Sequence, residues 1–384
     1  MPLTPTLIAT IPLAIWIYLF FVRGNFWNLR EETGEPKPLA RWPRVVAIVP
    51  ARNEAETIAH SVASLAKQDY PGEFSVIVVD DHSKDATAAL AQKAAKESDA
   101  AARVAIHSAP ELAQGWTGKV WAMSEGVRAA TKKVPEFFWF IDADIEHAPD
   151  TLRRLVSRAE NDSLDLASLM VLLQAKTFPE RLLIPPFLYF FLMLYPPQWI
   201  ADSNSRTAGA AGGCILLRCS MLDLIGGLAA IRNEVIDDCA LARAVKRTGG
   251  KIWMGLTRAS VSLRGYGSFS EIRDLIARTA FTQLRYSFFL LLATLIALSA
   301  TYLLPWISFF QGEDPAWFLA ATAASLMSVS FGVTVRFYNQ SFLWALTLPL
   351  AAVFYGYATC VSALRFWLGR GGQWKGRSQA PLGI

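Results

Sequence analysis

The chain predicts an α/β fold, a doubly wound and mainly parallel sheet fused to membrane-spanning helices at its N- and C-terminal ends. Three observations predict it. Between Arg44 and Ala175, short β-branched runs alternate with Ala-rich stretches of helical period, which is the signature of consecutive βαβ units. Four carboxylates, Asp80, Asp81, Asp142 and Asp144, fall where those runs end, and open parallel sheets bind ligands at that edge. Long apolar stretches flank the region on both sides, in a chain that is 53% hydrophobic.

The first element is Leu3 to Val22, about 20 uncharged and mostly apolar positions, enough to cross a hydrocarbon core of about 30 Å. Residues 1–23 therefore read as an anchor. No basic n-region or small-residue cleavage site marks it as a secretory signal, so it is expected to stay uncleaved. Arg23, Arg30, Lys37, Arg41 and Arg44 follow it and no basic side chain precedes it, which puts the N-terminus outside and the next domain in the cytoplasm.

Strands are expected at Val45 to Val49, Phe74 to Val79, Arg103 to His107, Phe137 to Ile141 and Asp165 to Leu173. Helices are expected at Glu54 to Lys67, Asp85 to Ser98, Val120 to Thr131 and Pro149 to Glu160, the last opened by a proline in its first turn. In residues 182–199 the pairs Pro185-Pro186 and Pro196-Pro197 bracket an aromatic-rich run of about ten residues, too short to span. Such a segment either lies in the headgroup region or forms a buried core helix.

Three later apolar stretches, Ser287 to Phe310, Ala316 to Val335 and Phe342 to Leu364, make residues 287–364 a second membrane region, with Gly312-Glu313-Asp314 suited to an outside loop. Three crossings would export the C-terminus. The tail 365–384 carries Arg365, Arg370, Lys375 and Arg377 with no acid and is expected inside, so a re-entrant or interfacial late segment is needed to reconcile the two.

The net charge of +5 comes from basic residues beside apolar stretches, which points to anionic lipid headgroups and away from nucleic acid. Cys214, Cys219, Cys239 and Cys360 form no C-x-x-C pair and no zinc-like grouping, so reduced thiols are expected. No G-x-G-x-x-G follows the first strand, which removes the usual dinucleotide fingerprint.

Chemistry concentrates at the strand ends. Asp142-Ala143-Asp144 leaves the run Phe137 to Ile141 with two carboxylates one residue apart, a pair suited to Mg2+ or Mn2+ shared with a substrate diphosphate. In isolation a polar strand-end turn is the better reading of such a pair, and the rest of the chain is what shifts it toward a metal site. After the second strand, an Asp in Val79-Asp80-Asp81-His82-Ser83 can accept from a uracil N3–H or a ribose hydroxyl, or Ser83 and Asp85 can serve as helix caps there. Gly115-Trp116-Thr117-Gly118-Lys119 offers a glycine-permitted bend with a lysine suited to phosphate contact.

Taken in order with Pro50-Ala51-Arg52-Asn53-Glu54, these pieces resemble glycosyltransferase family 2, whose GT-A fold carries a P-x-x-N-E start, a V-D-D-x-S nucleotide motif and a D-x-D metal motif. The resemblance covers residues 44–285, read as a cytoplasmic catalytic domain. Gly115 to Ala122, Phe140 to Asp144 and Arg278 to Ser287 are most similar to the hopene-associated glycosyltransferase group, with ceramide glucosyltransferases more distant.

The resemblance implies a nucleotide-sugar donor bound by Pro50, Asn53, Glu54, Asp80, Asp81, Lys119, Asp142 and Arg285, and a divalent cation held by Asp144 with Asp142. Asp80 and Asp81 would meet the nucleoside and Lys119 the diphosphate. His147 lies close enough to assist the metal, although a capping or surface histidine before Pro149 is the plainer reading. Ala211-Gly212-Gly213-Cys214 matches the acceptor loop, and Asp237-Asp238 the acidic E-D motif with Asp237 in place of Glu. Asp238 would be the base and Asp237 its partner; the alternative is a pair of acids stabilised by the dipole of a helix running through Val245. Thr282-Gln283-Leu284-Arg285-Tyr286 is a degraded Q/R-x-x-R-W motif, which Gln283 or Arg278 would have to complete, and it speaks against processive polymer synthesis.

The expected activity is transfer of a sugar, with inversion, from a nucleotide sugar (uridine preferred) to a lipid hydroxyl, in hopanoid or glycolipid synthesis at the bacterial inner membrane. A polyprenyl-phosphate sugar transferase would need a basic pocket, for which Arg206, Arg232 and Arg285 are available. A non-catalytic nucleotide-sugar binder would not need Asp238, and a transporter would need paired ionisable residues that the spans lack.

Overall fold

A computed structural model describes residues 3–31, 34, 36–98, 100–371, 373–374 and 377–378, so Met1, Pro2 and Lys375 of the expected anchor and tail lie outside it. The strands are β1 Val45–Ala51, β2 Phe74–Asp80, β3 Val104–Ser108, β4 Phe137–Phe140, β5 Ile145–His147, β6 Leu166–Leu172, β7 Ile215–Arg218 and β8 Ile252–Ser262. The helices are α1 Leu3–Ile17, α2 Ile58–Ala66, α3 Thr87–Glu97, α4 Gly118–Ala130, α5 Thr151–Asn161, α6 Phe178–Leu194, α7 Pro197–Ala201, α8 Cys219–Leu224, α9 Asp237–Arg247, α10 Phe269–Ala277, α11 Ala280–Gln283, α12 Phe288–Leu298, α13 Leu304–Gln311, α14 Ala316–Phe337 and α15 Leu348–Trp367.

The chain divides into two units, and the division is not linear. Residues 30–174 and 199–265 with the chain end form one, whereas 1–29, 175–198 and 266–372 form the other. Residues 175–198 and 266–285, expected within the catalytic domain, thus belong with the membrane-length helices.

The first unit is built on a mixed, mostly parallel sheet of order β3-β2-β1-β4-β7-β6-β8-β5. Every residue of β1 is buried, as a parallel strand covered on both faces requires, and its Val-Val-Ala-Ile-Val run supplies the β-branched side chains that pack there. Ala51 pairs with Asp80, Asp80 with Ser108 and Ile48 with Phe140. These strands therefore end together and deliver the residues that follow them to one edge.

Two antiparallel pairings complete that edge. β7 runs against β4 with Phe140 opposite Ile215, so residues 211–214, entering β7, lie beside residues 141–144, leaving β4. β5 runs against β8 with Ile145 opposite Ser262, and Leu263 then donates its N–H to the Asp144 carbonyl at 2.7 Å. The sequence does not predict β5, β7 or β8. It also opens three helices early: Glu54 to Thr57 form a turn ahead of α2, Asp85 and Ala86 precede α3, and Pro149 precedes α5, its carbonyl accepting from the Asp69 N–H at 2.9 Å.

The second unit holds four helical stretches long and apolar enough to cross a membrane, counted among the described residues: Pro5–Val22, Phe288–Gln311, Ala316–Phe337 and Phe342–Trp367. All three late stretches meet that length. Ala320, Ala323, Ala324 and Ser330 keep α14 slim, and α1 packs against it. Large apolar side chains such as Phe289, Phe310 and Leu343 stay exposed on this unit, as a lipid-facing surface requires.

Residues 182–199 do not form a segment bracketed by prolines. α6 begins at Phe178, behind a capping box of Thr177 and Glu180, and continues through Pro185 and Pro186. It is largely buried against α14 and α15. Tyr189 and Ser330 share a hydroxyl hydrogen bond of 2.8 Å, and the Tyr355 hydroxyl donates to the Leu183 carbonyl at 2.9 Å.

Candidate active site

The loops leaving β1 and β2 are fastened to each other. Asn53 and His82 both take left-handed backbone angles, φ 51° and 53°, which Asn and His tolerate better than most residues. The Asn53 side-chain oxygen accepts from the Lys84 N–H at 2.8 Å, and Ser83 Oγ accepts from the Asn53 N–H at 3.0 Å. Thr87 Oγ1 accepts from the Glu54 N–H at 2.8 Å, while the Asp85 carboxylate accepts from the N–H groups of both Ala55 and Thr87 at 3.1 Å. Asp85 thus receives the first N–H of α3.

Asp80 and Asp81 sit behind these loops. Asp81 is fully buried with the Arg52 guanidinium 3.7 Å from its carboxylate, and Arg52 also donates to the Asp81 carbonyl. The Asp80 Oδ1 atom is buried and has no hydrogen-bond partner among the described residues. Pro50 is buried within β1, opposite Val79.

Around the corner of the same edge is a cluster of carboxylates on one lysine. Lys119, in the first turn of α4, places Nζ 2.8 Å from Asp142 Oδ1 and 3.2 Å from Asp237 Oδ2. Burial works against its charge, but Asp142 and Asp237 outweigh it and hold the lysine above its ordinary pKa. Asp237 and Asp238 open α9, as a helix N-terminus favours. Asp238 Oδ2 accepts from the Gly212 N–H at 2.9 Å and Oδ1 from the Cys239 N–H at 2.7 Å. Burial, reinforced by the charge of Asp237 and opposed by Lys119, raises the Asp238 carboxyl to about 6.

Asp144 has a different cation. Arg264, just past β8, places Nε 3.5 Å from Asp144 Oδ2, while its Nη2 donates to both oxygens of Glu54, at 3.0 Å and 3.3 Å. Burial first, then the negative charges of Asp142 and Glu54, raise the Asp144 carboxyl to about 6 against the pull of Arg264.

The metal can be tested against these donors. No group of three or more His, Cys, Asp and Glu side chains suited to a metal exists among the described residues. Mg2+ and Mn2+ need fewer, because one or two carboxylates suffice when a diphosphate and waters complete the shell. Asp142 and Asp144 are hard oxygen donors one residue apart, and burial first, then the charges of Asp142 and Glu54, disfavours the ionised form of Asp144 that a cation would stabilise. The residues fit.

His147 does not join them. It lies in β5, 3% exposed, with Nδ1 2.8 Å from Ser260 Oγ and its ring 4.8 Å from that of Trp139. Burial lowers its pKa to about 3, so it is a neutral core histidine. Arg285 is exposed, at a left-handed turn with φ 52° in the unit of the membrane-length helices. Arg206 and Arg232 are exposed, and Arg232 contributes its carbonyl to the Thr117 N–H at 2.7 Å.

Residues 46–226 match the model of glycosyl transferase family 2. The chain carries a glycosyltransferase family 2 domain. The chain is 26% identical over 225 residues to an N-acetylglucosaminyltransferase of Rhizobium leguminosarum bv. viciae, a match covering 56% of this chain and 48% of the relative. A second N-acetylglucosaminyltransferase, from Mesorhizobium japonicum, is 27% identical over 197 residues, 50% of this chain and 41% of the relative. The chain thus spans less than half the length of either.

Among solved structures, the mannosyltransferase PcManGT from Pyrobaculum calidifontis, in complex with GDP-Man and Mn2+, superposes with a TM-score of 0.56 at 18% identity. That match covers 94% of this chain and 99% of the other, and it shows a shared GT-A-type fold.

Two residues of the first unit carry no signal in the sequence. Arg264 reaches Asp144 only because β5 and β8 pair. Lys246, near the end of α9, donates to the carbonyls of Trp199, Ile200 and Thr207 at 2.9, 2.7 and 2.7 Å, and so fastens the start of the loop that ends at Gly212. Neither carries a local motif.

Proposed function

We propose that this protein is a membrane-bound, inverting glycosyltransferase that moves a sugar from a nucleotide sugar to a lipid hydroxyl at the cytoplasmic face of a bacterial inner membrane. The observation that carries the reading is the meeting of Asp142, Asp237 and Lys119 beside Asp238 at the carboxyl edge of the sheet. A donor site and a base are then neighbours.

In this reading Asp80 and Asp81 bind the nucleoside, and the partnerless Asp80 Oδ1 accepts from the ring N3–H or a ribose hydroxyl. Lys119 approaches the diphosphate with its charge secured by Asp142 and Asp237. Asp142 and Asp144 hold the divalent cation, which when bound neutralises charge developing on the departing diphosphate.

Asp238 accepts the proton of the acceptor hydroxyl. A carboxyl raised to about 6 is ionised near neutrality yet more basic than an ordinary aspartate, which suits a general base. The backbone N–H groups of Gly212 and Cys239 fix its orientation. A group so placed contributes about 10² to 10⁴-fold to the rate.

The lipid acceptor is supported by the four membrane-length helices, and a hopanoid context by the likeness of residues 115–122, 140–144 and 278–287 to the hopene-associated group. With uridine preferred, the two bacterial N-acetylglucosaminyltransferases to which the chain is similar make UDP-N-acetylglucosamine the first donor to try.

Labelled donor, detergent-purified protein and a bacterial lipid extract containing hopanoids test the proposal. Label is expected in an organic-extractable product, and not with Asp238→Asn. Label confined to a water-soluble polymer would overturn the lipid acceptor.

A further inference from the structure

We infer that Arg264 is an internal counter-ion of the proposed metal site, occupying Asp144 when no donor is bound and leaving it as cation and donor arrive. The inference deepens the metal-dependent reading above and rests on it.

Both carboxylates of Asp142-Ala143-Asp144 already face a protein cation. Asp142 is 2.8 Å from Lys119 and Asp144 is 3.5 Å from Arg264. The two cations differ in how they are held. Lys119 is 16% exposed and engaged by two aspartates within 3.2 Å, so it is a fixed part of the cluster. The Arg264 side chain is twice as exposed, at 32%, and its close contacts run to Glu54, with the Asp144 pairing looser.

The backbone beneath Arg264 is fixed. Gln174 Nε2 donates to the carbonyls of Ser262 and Leu263 at 3.1 and 2.9 Å, Leu263 donates to the Asp144 carbonyl, and the Arg264 N–H reaches Ser262 Oγ at 3.3 Å. The strand end is thus held by contacts that do not involve the guanidinium.

A guanidinium this close to Asp144 opposes a divalent cation in two ways. It repels the incoming charge, and it occupies the oxygen the cation needs. A nucleoside diphosphate reverses the balance, because its oxygens complete the metal shell and offer the guanidinium a new anionic partner. Cation binding to the donor-free protein should accordingly be weak and strongly coupled to the nucleotide. Glu54 then has a defined task as the arm that holds Arg264 in reach of Asp144.

Mn2+ binding to the full chain in detergent, followed by calorimetry and by the loss of free Mn2+ signal in electron paramagnetic resonance, tests this without turnover. Neutral Arg264→Gln should bind Mn2+ in the absence of nucleotide at least tenfold more tightly than the wild type. Arg264→Lys, which keeps the charge, should stay within about threefold of it. Arg264→Met repeats the neutral substitution with an apolar stem if the Gln variant folds poorly, and the wild type itself should gain at least tenfold in Mn2+ affinity on adding UDP. Unchanged or weaker Mn2+ binding by the neutral variants, with wild-type Mn2+ binding intact in the presence of UDP, would overturn the counter-ion role alone. Absence of Mn2+ binding to every form, with UDP or without, would overturn it together with the metal site.

Discussion

Gly212 donates its backbone N–H to Asp238 Oδ2 at 2.9 Å, and its α-carbon faces the same cluster so closely that a Cβ would lie 3.3 Å from that oxygen and 3.2 Å from Lys119 Nζ. Glycine is favoured there by the close approach of the loop to two charged groups. Gly212→Ala should displace Asp238 or Lys119 by a few tenths of an ångström and lower transfer about tenfold, with an overpacking cost of about 1 kcal/mol. Steady-state kinetics and a thermal melt of the variant check both.

Asp238→Asn keeps an oxygen able to accept from Gly212 while removing the base. Transfer should fall by about 10² to 10⁴-fold with nucleotide affinity within a few-fold of wild type. Parallel rate and binding measurements separate this from a folding defect, which would lower both.

The pH dependence follows from the sign of the shifts. Burial and Asp237 raise the Asp238 carboxyl to about 6, and only the ionised form accepts a proton, so kcat/KM should fall as pH drops through 6 and level off above it. Asp144 is raised to about 6 as well, and a cation favours its ionised form. At subsaturating Mn2+ the acid limb should therefore be steeper than at saturation. A pH–rate profile at two Mn2+ concentrations tests this, and the Asp238 limb should be missing in Asp238→Asn.

β1, β2, β3, β4 and β6 were legible because apolar and β-branched residues predominate in each of these short runs. β5 and β7 were not, with three and four residues and no period to read. β8 mixes Gly255, Thr257, Arg258 and Ser260 into its length, so its pattern resembles neither an alternating nor a continuous strand. The site followed the same division. Asp142, Lys119 and Asp237 stand beside local signals and do come together, as does Asp238 with Gly212. Arg264 has no local signal, since its contact depends on Ile145 pairing with Ser262 far along the chain. His147 shows the opposite case, a polar letter among motif residues whose side chain is part of the core.

Lys119→Met should leave Asp142 and Asp237 facing each other without their shared cation. Both retain some solvent contact, so the loss is discounted from that of a fully buried pair to about 2 kcal/mol. A lowered melting temperature is the expected result.

His147→Phe should leave Mn2+ binding in the presence of UDP within twofold of wild type, with about 1 kcal/mol lost from the Ser260 hydrogen bond. Calorimetry of the variant checks it, and abolished Mn2+ binding in a folded protein would return His147 to the metal site.

The most direct test of the account is calorimetric binding of UDP and UDP-sugars to the detergent-purified protein, with and without Mn2+ or Mg2+, comparing wild type with Asp144→Ala. The account predicts cation-dependent nucleotide binding that is lost in the variant. Folded wild-type protein that binds no nucleotide sugar, with or without cation, would contradict it and leave Asp142 and Asp144 as a strand end neutralised by Lys119 and Arg264.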